Sequence, residues 1–344
     1  MPKIHGKLAR LHGPRELCFE DISVDSDELL PDAVCAVTAY SAISIGTEKA
    51  AYIGLTPLRS APAYPRLLGY CNSARVVGVG SDVRSVAPGD IILTNQSHQS
   101  CFTCSSSEIL AKVPEKLNAR AASLAYIAYF GLNALQRADL QAGECVAVQG
   151  LGPIGLATVA VARALGAGRI VALGNSPSRL ETAIAFGADE AIDTRELEQM
   201  AGLGAELRNY ADVVVTTVNA WAAWRTSLAI VREFGRVAVL GFPGRGEPLP
   251  TFNVLASDPF YVKQLSILSV GLPAGHGRWG QGDRMAYRRA GIELLLQLMA
   301  SGELPLADLI THEVPWSELE AVYRRAESGD KTQVVAVLNW EASS

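Results

Sequence analysis

Cys145-Val146-Ala147-Val148-Gln149-Gly150-Leu151-Gly152-Pro153-Ile154-Gly155 is the stretch that decides the fold. Its first five residues form a short apolar run that reads as a buried parallel strand, and it closes on the pattern G-x-G-x-x-G. Leu156 to Gly166 read as a helix stopped by glycine, and Arg169-Ile170-Val171-Ala172-Leu173 reads as a second strand. Together they make one βαβ unit. The first glycine allows the tight strand-to-helix turn, the second lets backbone approach a pyrophosphate, and the third lets helix pack closely on strand. Unpaired N–H groups and the helix dipole then favour negative charge at the helix start. Gly150, Gly152, Pro153, Ile154 and Gly155 are therefore candidate residues for holding a dinucleotide.

The pattern changes on either side of this unit. The first 120 or so residues carry short alternating runs, such as Ala33 to Tyr40 and Ala74 to Gly80, parted by Gly, Pro and Ser turns, and read as mainly β. Helical periodicity begins at Ala121, and strands then alternate with helices, the mark of an α/β fold with a doubly wound parallel (Rossmann) sheet. Ala211 to Thr216 and Gly235 to Gly241 read as further strands, whose last residues, Thr216 and Gly241, join the candidate cofactor set. Ser266 to Val270 reads as another strand, Tyr287 to Ala300 as a helix and Val334 to Leu338 as a final strand. The ligand crevice of such a sheet is expected at the carboxyl ends of its strands, facing the N-terminal β domain.

A chain of 344 residues has room for two cores, and 49% hydrophobic with 19% charged residues suits a packed globular protein. No segment supplies the ~18 uninterrupted apolar residues of a membrane span. The first residues carry no apolar signal core, so a cytoplasmic location is expected. A net charge of -5 argues against nucleic acid or an anionic membrane as partner, leaving a small-molecule substrate. Among the six cysteines only Cys101 and Cys104 have metal-like spacing. Structural zinc needs four ligands, and neither a second CxxC nor a His pair completes the set, since His98 adds a third at most.

The order of motifs resembles the medium-chain dehydrogenase/reductase superfamily over nearly the whole chain. The resemblance is carried by Ser41-Ala42-Ile43-Ser44-Ile45-Gly46-Thr47-Glu48, by Pro65-Arg66-Leu67-Leu68-Gly69-Tyr70, by Pro88-Gly89-Asp90 and by Leu309 to Trp316. It implies a discontinuous, mainly-β GroES-like catalytic domain from residues 1–123 and 270–344, around a dinucleotide-binding domain at 124–269. In the zinc-dependent branch a Cys precedes the Gly-Thr motif, a His follows the later Gly, and a third ligand stands at the helix entering the cofactor domain. Those positions here are Ile45, Tyr70 and approximately Ala125, with Cys71 at the place of a Glu. The four-cysteine zinc lobe is also missing, because only Ile91 to Ala111 separate Asp90 from Lys112. The resemblance thus implies a zinc-independent member, similar in its Gly-Thr-Glu and Gly-Tyr variants to the branch containing bacteriochlorophyllide dehydrogenase. A homodimer is expected.

An NAD site usually carries an Asp or Glu roughly twenty residues past the last fingerprint glycine, to bind the ribose 2′-hydroxyl. Here the sequence after Leu173 is Gly174-Asn175-Ser176-Pro177-Ser178-Arg179. With no repelling carboxylate, and with hydroxyls and a guanidinium, it suits a 2′-phosphate and predicts NADP(H). Ser176 also reads as a helix cap before Pro177, with Arg179 in the first turn.

Hydride transfer to a carbonyl without a Lewis acid needs hydrogen-bond donors for the developing charge on oxygen. The resemblance places Tyr70 at the zinc-binding His and Thr47 at the proton-relay hydroxyl, so these two are the leading catalytic candidates, with His98 an alternative acid. Gln96 is expected on the substrate wall, and Tyr126 and Tyr129 near the third-ligand region. The polar, glycine-rich run from Gly271 to Arg284, with Arg278 and Trp279, reads as a loop over substrate, a mobile surface loop or a subunit contact. Three functions remain open on sequence: an alcohol–carbonyl oxidoreductase acting on a sugar-like, cyclitol or natural-product substrate, a quinone or enoyl reductase, and a cofactor binder without turnover.

Overall fold

The computed structural model describes residues 3–55, 64–195, 208–271 and 284–342. The chain divides into two compact units, Met1–Tyr126 with Arg288–Ser344, and Ile127–Tyr287.

The outer unit begins with β1 (Ile4–Leu11), β2 (Leu17–Val24) and β3 (Ala33–Ala42), followed by α1 (Ile45–Tyr52) and β4 (Arg66–Leu67). Then come β5 (Asn72–Val79), β6 (Ile91–Thr94), β7 (Cys101–Ser105), β8 (Ala111–Lys112) and α2 (Ala119–Ala122). The longer helix α3 (Ala125–Arg137) leads into the other unit. The expected helix from Ala121 is thus two pieces, broken at Ser123 and Leu124.

The Ile127–Tyr287 unit is built from β9 (Cys145–Gln149), α4 (Pro153–Ala164), β10 (Arg169–Gly174), α5 (Pro177–Ala185), β11 (Glu190–Asp193), β12 (Ala211–Thr216), α6 (Trp221–Ile230), β13 (Val231–Val239) and β14 (Ser266–Ser269). Its described strands form one parallel sheet in the order β11-β10-β9-β12-β13-β14. Numbered from β9, that is the 3-2-1-4-5-6 order of a doubly wound dinucleotide sheet. Val146, Ala147 and Val148 are fully buried, as an interior parallel strand covered on both faces requires. The strand read from Gly235 in fact begins at Val231, because Phe234 takes a positive φ of 60° inside it and breaks the alternation.

The chain returns through α7 (Arg284–Ser301), β15 (Ile310–Pro315), α8 (Leu319–Glu327) and β16 (Val335–Asn339). β16 pairs antiparallel with β3, so the last strand completes the sheet begun by the third. Ile43, Tyr52 and Leu68 share one core with Leu319, Tyr323, Leu338 and Trp340. Among the described residues no helix is long and apolar enough to cross a membrane.

Candidate active site

At the end of β9 the chain turns at Gly150, whose φ of 94° suits glycine and whose carbonyl accepts from the Thr217 hydroxyl at 3.0 Å. A Cβ on Gly155 would collide with the Gly150 carbonyl oxygen, so the third glycine of the fingerprint is there for contact of helix with strand. Nothing lies within 4 Å of the place a Cβ would take on Gly152, which caps α4 without a side-chain hydrogen bond while Pro153 opens the helix. An open approach and uncapped first-turn N–H groups are what a pyrophosphate needs. Thr216 ends β12 beside this turn: its carbonyl accepts from Leu240 at 2.9 Å and Gly241 at 3.1 Å, and its buried hydroxyl has no partner among the described residues. This donor and these bare backbone edges fit a dinucleotide. Thr217 is a residue the sequence reading missed, since a threonine one past a strand carries no signal of its own.

β10 ends at Gly174, so the position that decides the cofactor lies at the strand terminus without a carboxylate. Asn175 is exposed, Ser176 is buried, and Arg179 is half-buried in the first turn of α5. The reading of Ser176 as a capping side chain is corrected: it sits at the N-cap, but its hydroxyl makes no cap bond and lies 3.2 Å from the Ser178 hydroxyl instead. The N–H groups of Arg179 and Leu180 donate instead to the Ser176 carbonyl, at 3.1 and 3.0 Å.

In the other unit, Tyr70 follows the turn at Gly69 and gives its phenol proton to the Ser44 hydroxyl in a short hydrogen bond. Burial and the neighbouring Cys71 push the phenol well above its ordinary pKa, against the hydroxyls of Ser44, at the N-cap of α1, and Thr47, in its first turn. Tyr70 is thus a neutral donor rather than a base. Its ring meets Tyr126 edge-on, with centroids 5.8 Å apart, and the Arg288 guanidinium lies 5.9 Å from the Tyr126 ring centre. Tyr70, Thr47 and Tyr126 therefore come together, joined by Ser44 and Arg288, which sequence reasoning had not selected.

His98 does not belong to that group as an acid, and this reading is corrected. It is fully buried, with Nε2 2.8 Å from Glu48 Oε2 and Nδ1 2.8 Å from Ser41 Oγ. The same Glu48 carboxylate accepts from Tyr323 Oη at 2.7 Å and from the Ser44 N–H at 2.7 Å, while Trp340 Nε1 donates to Ser41 at 2.8 Å. With both ring nitrogens engaged, His98 has no edge to offer a substrate. Its role is to shape the turn: its N–H donates to the Leu68 carbonyl at 2.7 Å, and its ring lies where a Cβ on Gly69 would stand, 2.6 Å from Nδ1. Gly69, at a φ of 83°, is the residue that lets the backbone before Tyr70 rest on this imidazole.

Gln96 is half-buried and accepts from Gln99 Nε2 at 3.0 Å. Tyr129 is fully buried within α3. Arg278 and Trp279, and the loop around them, lie outside the described residues.

Among the described residues no three of His, Cys, Asp and Glu gather so as to hold a metal ion. Cys71 is buried, and burial with the nearby Glu48 charge pushes its thiol well above the usual range, whereas a zinc ligand must be a thiolate. Cys104, on β7, is likewise pushed up to about 12 by burial. The residues at the family's metal positions do not suit zinc.

A dinucleotide sheet of this strand order and a discontinuous β unit carrying a hydroxyl cluster together define a dehydrogenase-like architecture. The model of the family described as zinc-binding dehydrogenase matches residues 153–284. The chain is 35% identical to a sorbitol dehydrogenase of Bacillus subtilis (strain 168) over 136 residues, 39% of this chain and 38% of that protein, well under its full length. It is 26% identical over 310 residues to a probable D-xylulose reductase A of Aspergillus clavatus, covering 79% of this chain and 81% of that one. The solved L-idonate 5-dehydrogenase of Escherichia coli K-12 MG1655 superposes with a TM-score of 0.80 at 18% identity, over 98% of this chain and 99% of the other. These matches support the medium-chain dehydrogenase/reductase superfamily.

Proposed function

We propose that this protein is an NADP(H)-dependent oxidoreductase interconverting an alcohol and a carbonyl on a sugar-like substrate, without a catalytic metal. The observation that carries this reading is the neutral Tyr70 phenol, held with Ser44 and Thr47 at the place where zinc-dependent relatives carry a metal ligand. The names of the sorbitol and xylulose relatives support the substrate class. Gly174, Ser176 and Arg179 at the end of β10 support the phosphorylated cofactor, since no carboxylate there repels a 2′-phosphate.

When bound, NADPH supplies the hydride. Charge then develops on the carbonyl oxygen, and Tyr70 donates its proton to that oxygen, which becomes the hydroxyl of the product. A solvent proton then returns to Tyr70, passed along the hydroxyls of Thr47 and Ser44. One well-placed donor of this kind contributes roughly 3 to 4 kcal/mol where water is excluded.

A panel of carbonyl substrates followed at the NADPH absorbance band tests the reading. Oxidation of NADPH by ketoses, undiminished by chelators, is the expected result. Consumption with enones and quinones alone would make the protein a carbon–carbon double-bond reductase, and tight NADPH binding with no consumption would make it a binder without turnover.

A further inference from the structure

Helix α7 buries one stripe along its length. Arg288, Ile292, Leu295, Leu296 and Met299 lie at the spacing of a single helical face, and all are buried. Four of the five are apolar. The first carries a guanidinium, a planar fork of N–H donors with no acceptor.

Arg288 is only 9% exposed, its Nε is buried without a hydrogen-bond partner, and no carboxylate or carbonyl among the described residues pairs with it. Its next neighbour in sequence shows the contrast, because Arg289 donates to the carbonyls of Ile109 at 3.0 Å and Ser107 at 2.6 Å. A buried charge is ordinarily paired, and one left alone destabilises the fold. The ring of Tyr126, 5.9 Å away, is the neighbour that partly offsets this, and that ring touches Tyr70. The unpaired cation is therefore no farther from the Tyr70 ring than two ring contacts laid end to end.

We propose that Arg288 anchors an anionic group, a carboxylate or phosphate ester, on the substrate whose oxygen Tyr70 protonates. The inference rests on the oxidoreductase reading above and narrows its substrate class to sugar acids or sugar phosphates. A guanidinium presents parallel N–H donors that match a carboxylate or phosphate two at a time, a geometry that an apolar residue at this helix position lacks. Tyr126 is in contact with both Arg288 and Tyr70, which bounds their separation, so one small ligand can address both.

The experiment compares D-gluconate with D-sorbitol, which differ in one terminal carboxylate, by calorimetric titration of the full chain with NADPH bound, a pairing of alcohol and reduced cofactor that cannot transfer hydride. Gluconate is expected to bind at least about tenfold tighter than sorbitol, the effect of one charge-assisted bond. Arg288→Met should erase that difference while leaving sorbitol and NADPH affinity unchanged, and Arg288→Lys should restore part of it. Because the methionine removes an unpaired buried charge, its Tm should equal or exceed that of the wild type. Equal binding of the two ligands by the wild type overturns the proposal, as does a fall in NADPH affinity matching the loss of gluconate, which would give Arg288 to the cofactor. A lowered Tm with both ligands weakened makes Arg288 a packing residue and overturns it too. Titration reads the anchor without turnover, so inactivity toward every carbonyl tested would defeat the oxidoreductase reading separately.

Discussion

The Glu48 carboxylate and the His98 imidazole face each other at 2.8 Å where neither side chain meets solvent to any extent. Glu48 gathers three donors in all, from His98, Tyr323 and the Ser44 backbone, and so ties α1 and α8 to the strand-end turn that carries Tyr70. Glu48→Leu leaves all three without a partner. Urea unfolding should show a loss of about 3 to 5 kcal/mol, and a loss too small to resolve would mean that water or a neighbour takes over the bonds.

Tyr70→Phe keeps the ring against Tyr126 and removes the donor. At saturating cofactor, kcat is expected to drop roughly 10²-fold or more, with NADPH affinity and Tm nearly unchanged. Unaltered turnover where chemistry limits the rate would move the donor role to Ser44 or Thr47.

Cofactor preference should follow Arg179. The wild type is expected to bind NADPH more tightly than NADH, and Arg179→Ala should narrow that gap by about 1.5 to 3 kcal/mol, the worth of a charge-assisted bond. Fluorescence titration with both cofactors measures it, and equal affinities in the unmutated protein would remove the basis for the assignment.

Zinc should prove dispensable. With Ile45, Tyr70 and Ala125 at the metal positions and Cys71 held as a thiol, elemental analysis is expected to find far less than one zinc per chain, and activity should survive prolonged chelation. Stoichiometric zinc that leaves together with activity would show the motifs to be misaligned.

Acid stability should depend on Asp212. Burial alone would raise its carboxyl, but the Cys145 N–H at 2.7 Å and the Arg232 guanidinium at 2.5 Å hold it below its ordinary value. A carboxyl with a lower pKa folded than unfolded stabilises the protein above the unfolded value, and that contribution fades as pH falls through the folded one. The stability difference between wild type and Asp212→Asn should therefore be full above about pH 5 and shrink below about pH 4. A difference constant across that range would trace the loss to geometry instead of charge.

The fingerprint was legible because its determinants are local: Val146 to Gly155 contain the strand, the turn and the helix start within one short segment. The true start of β13 was not, since Phe234 at a positive φ interrupts the apolar run that would have announced it. His98 was misread for a different reason. Ser41 and Glu48 are 57 and 50 residues away from it, and the residues that complete the network, Tyr323 and Trp340, lie 275 residues from Glu48 and 299 from Ser41. A lone histidine after a strand looks available until the fold brings those partners in. Arg288 was hidden by charge, because an arginine at the head of a helix reads as solvated until its whole stripe is found buried.

The pairing of β16 with β3 also orders the events of synthesis. Translation runs from the amino end, and domains tend to fold as units while the chain emerges. The Ile127–Tyr287 unit has all its described strands once Tyr287 leaves the ribosome, whereas the sheet whose strand β5 follows Tyr70 must wait for Asn339, and the Ser41 hydroxyl for Trp340. On the proposed function, the nascent chain thus has the means to bind nucleotide before its phenol and hydroxyls are locked in place. A nucleotide present during translation would stabilise the first unit by mass action while the second is still unfinished.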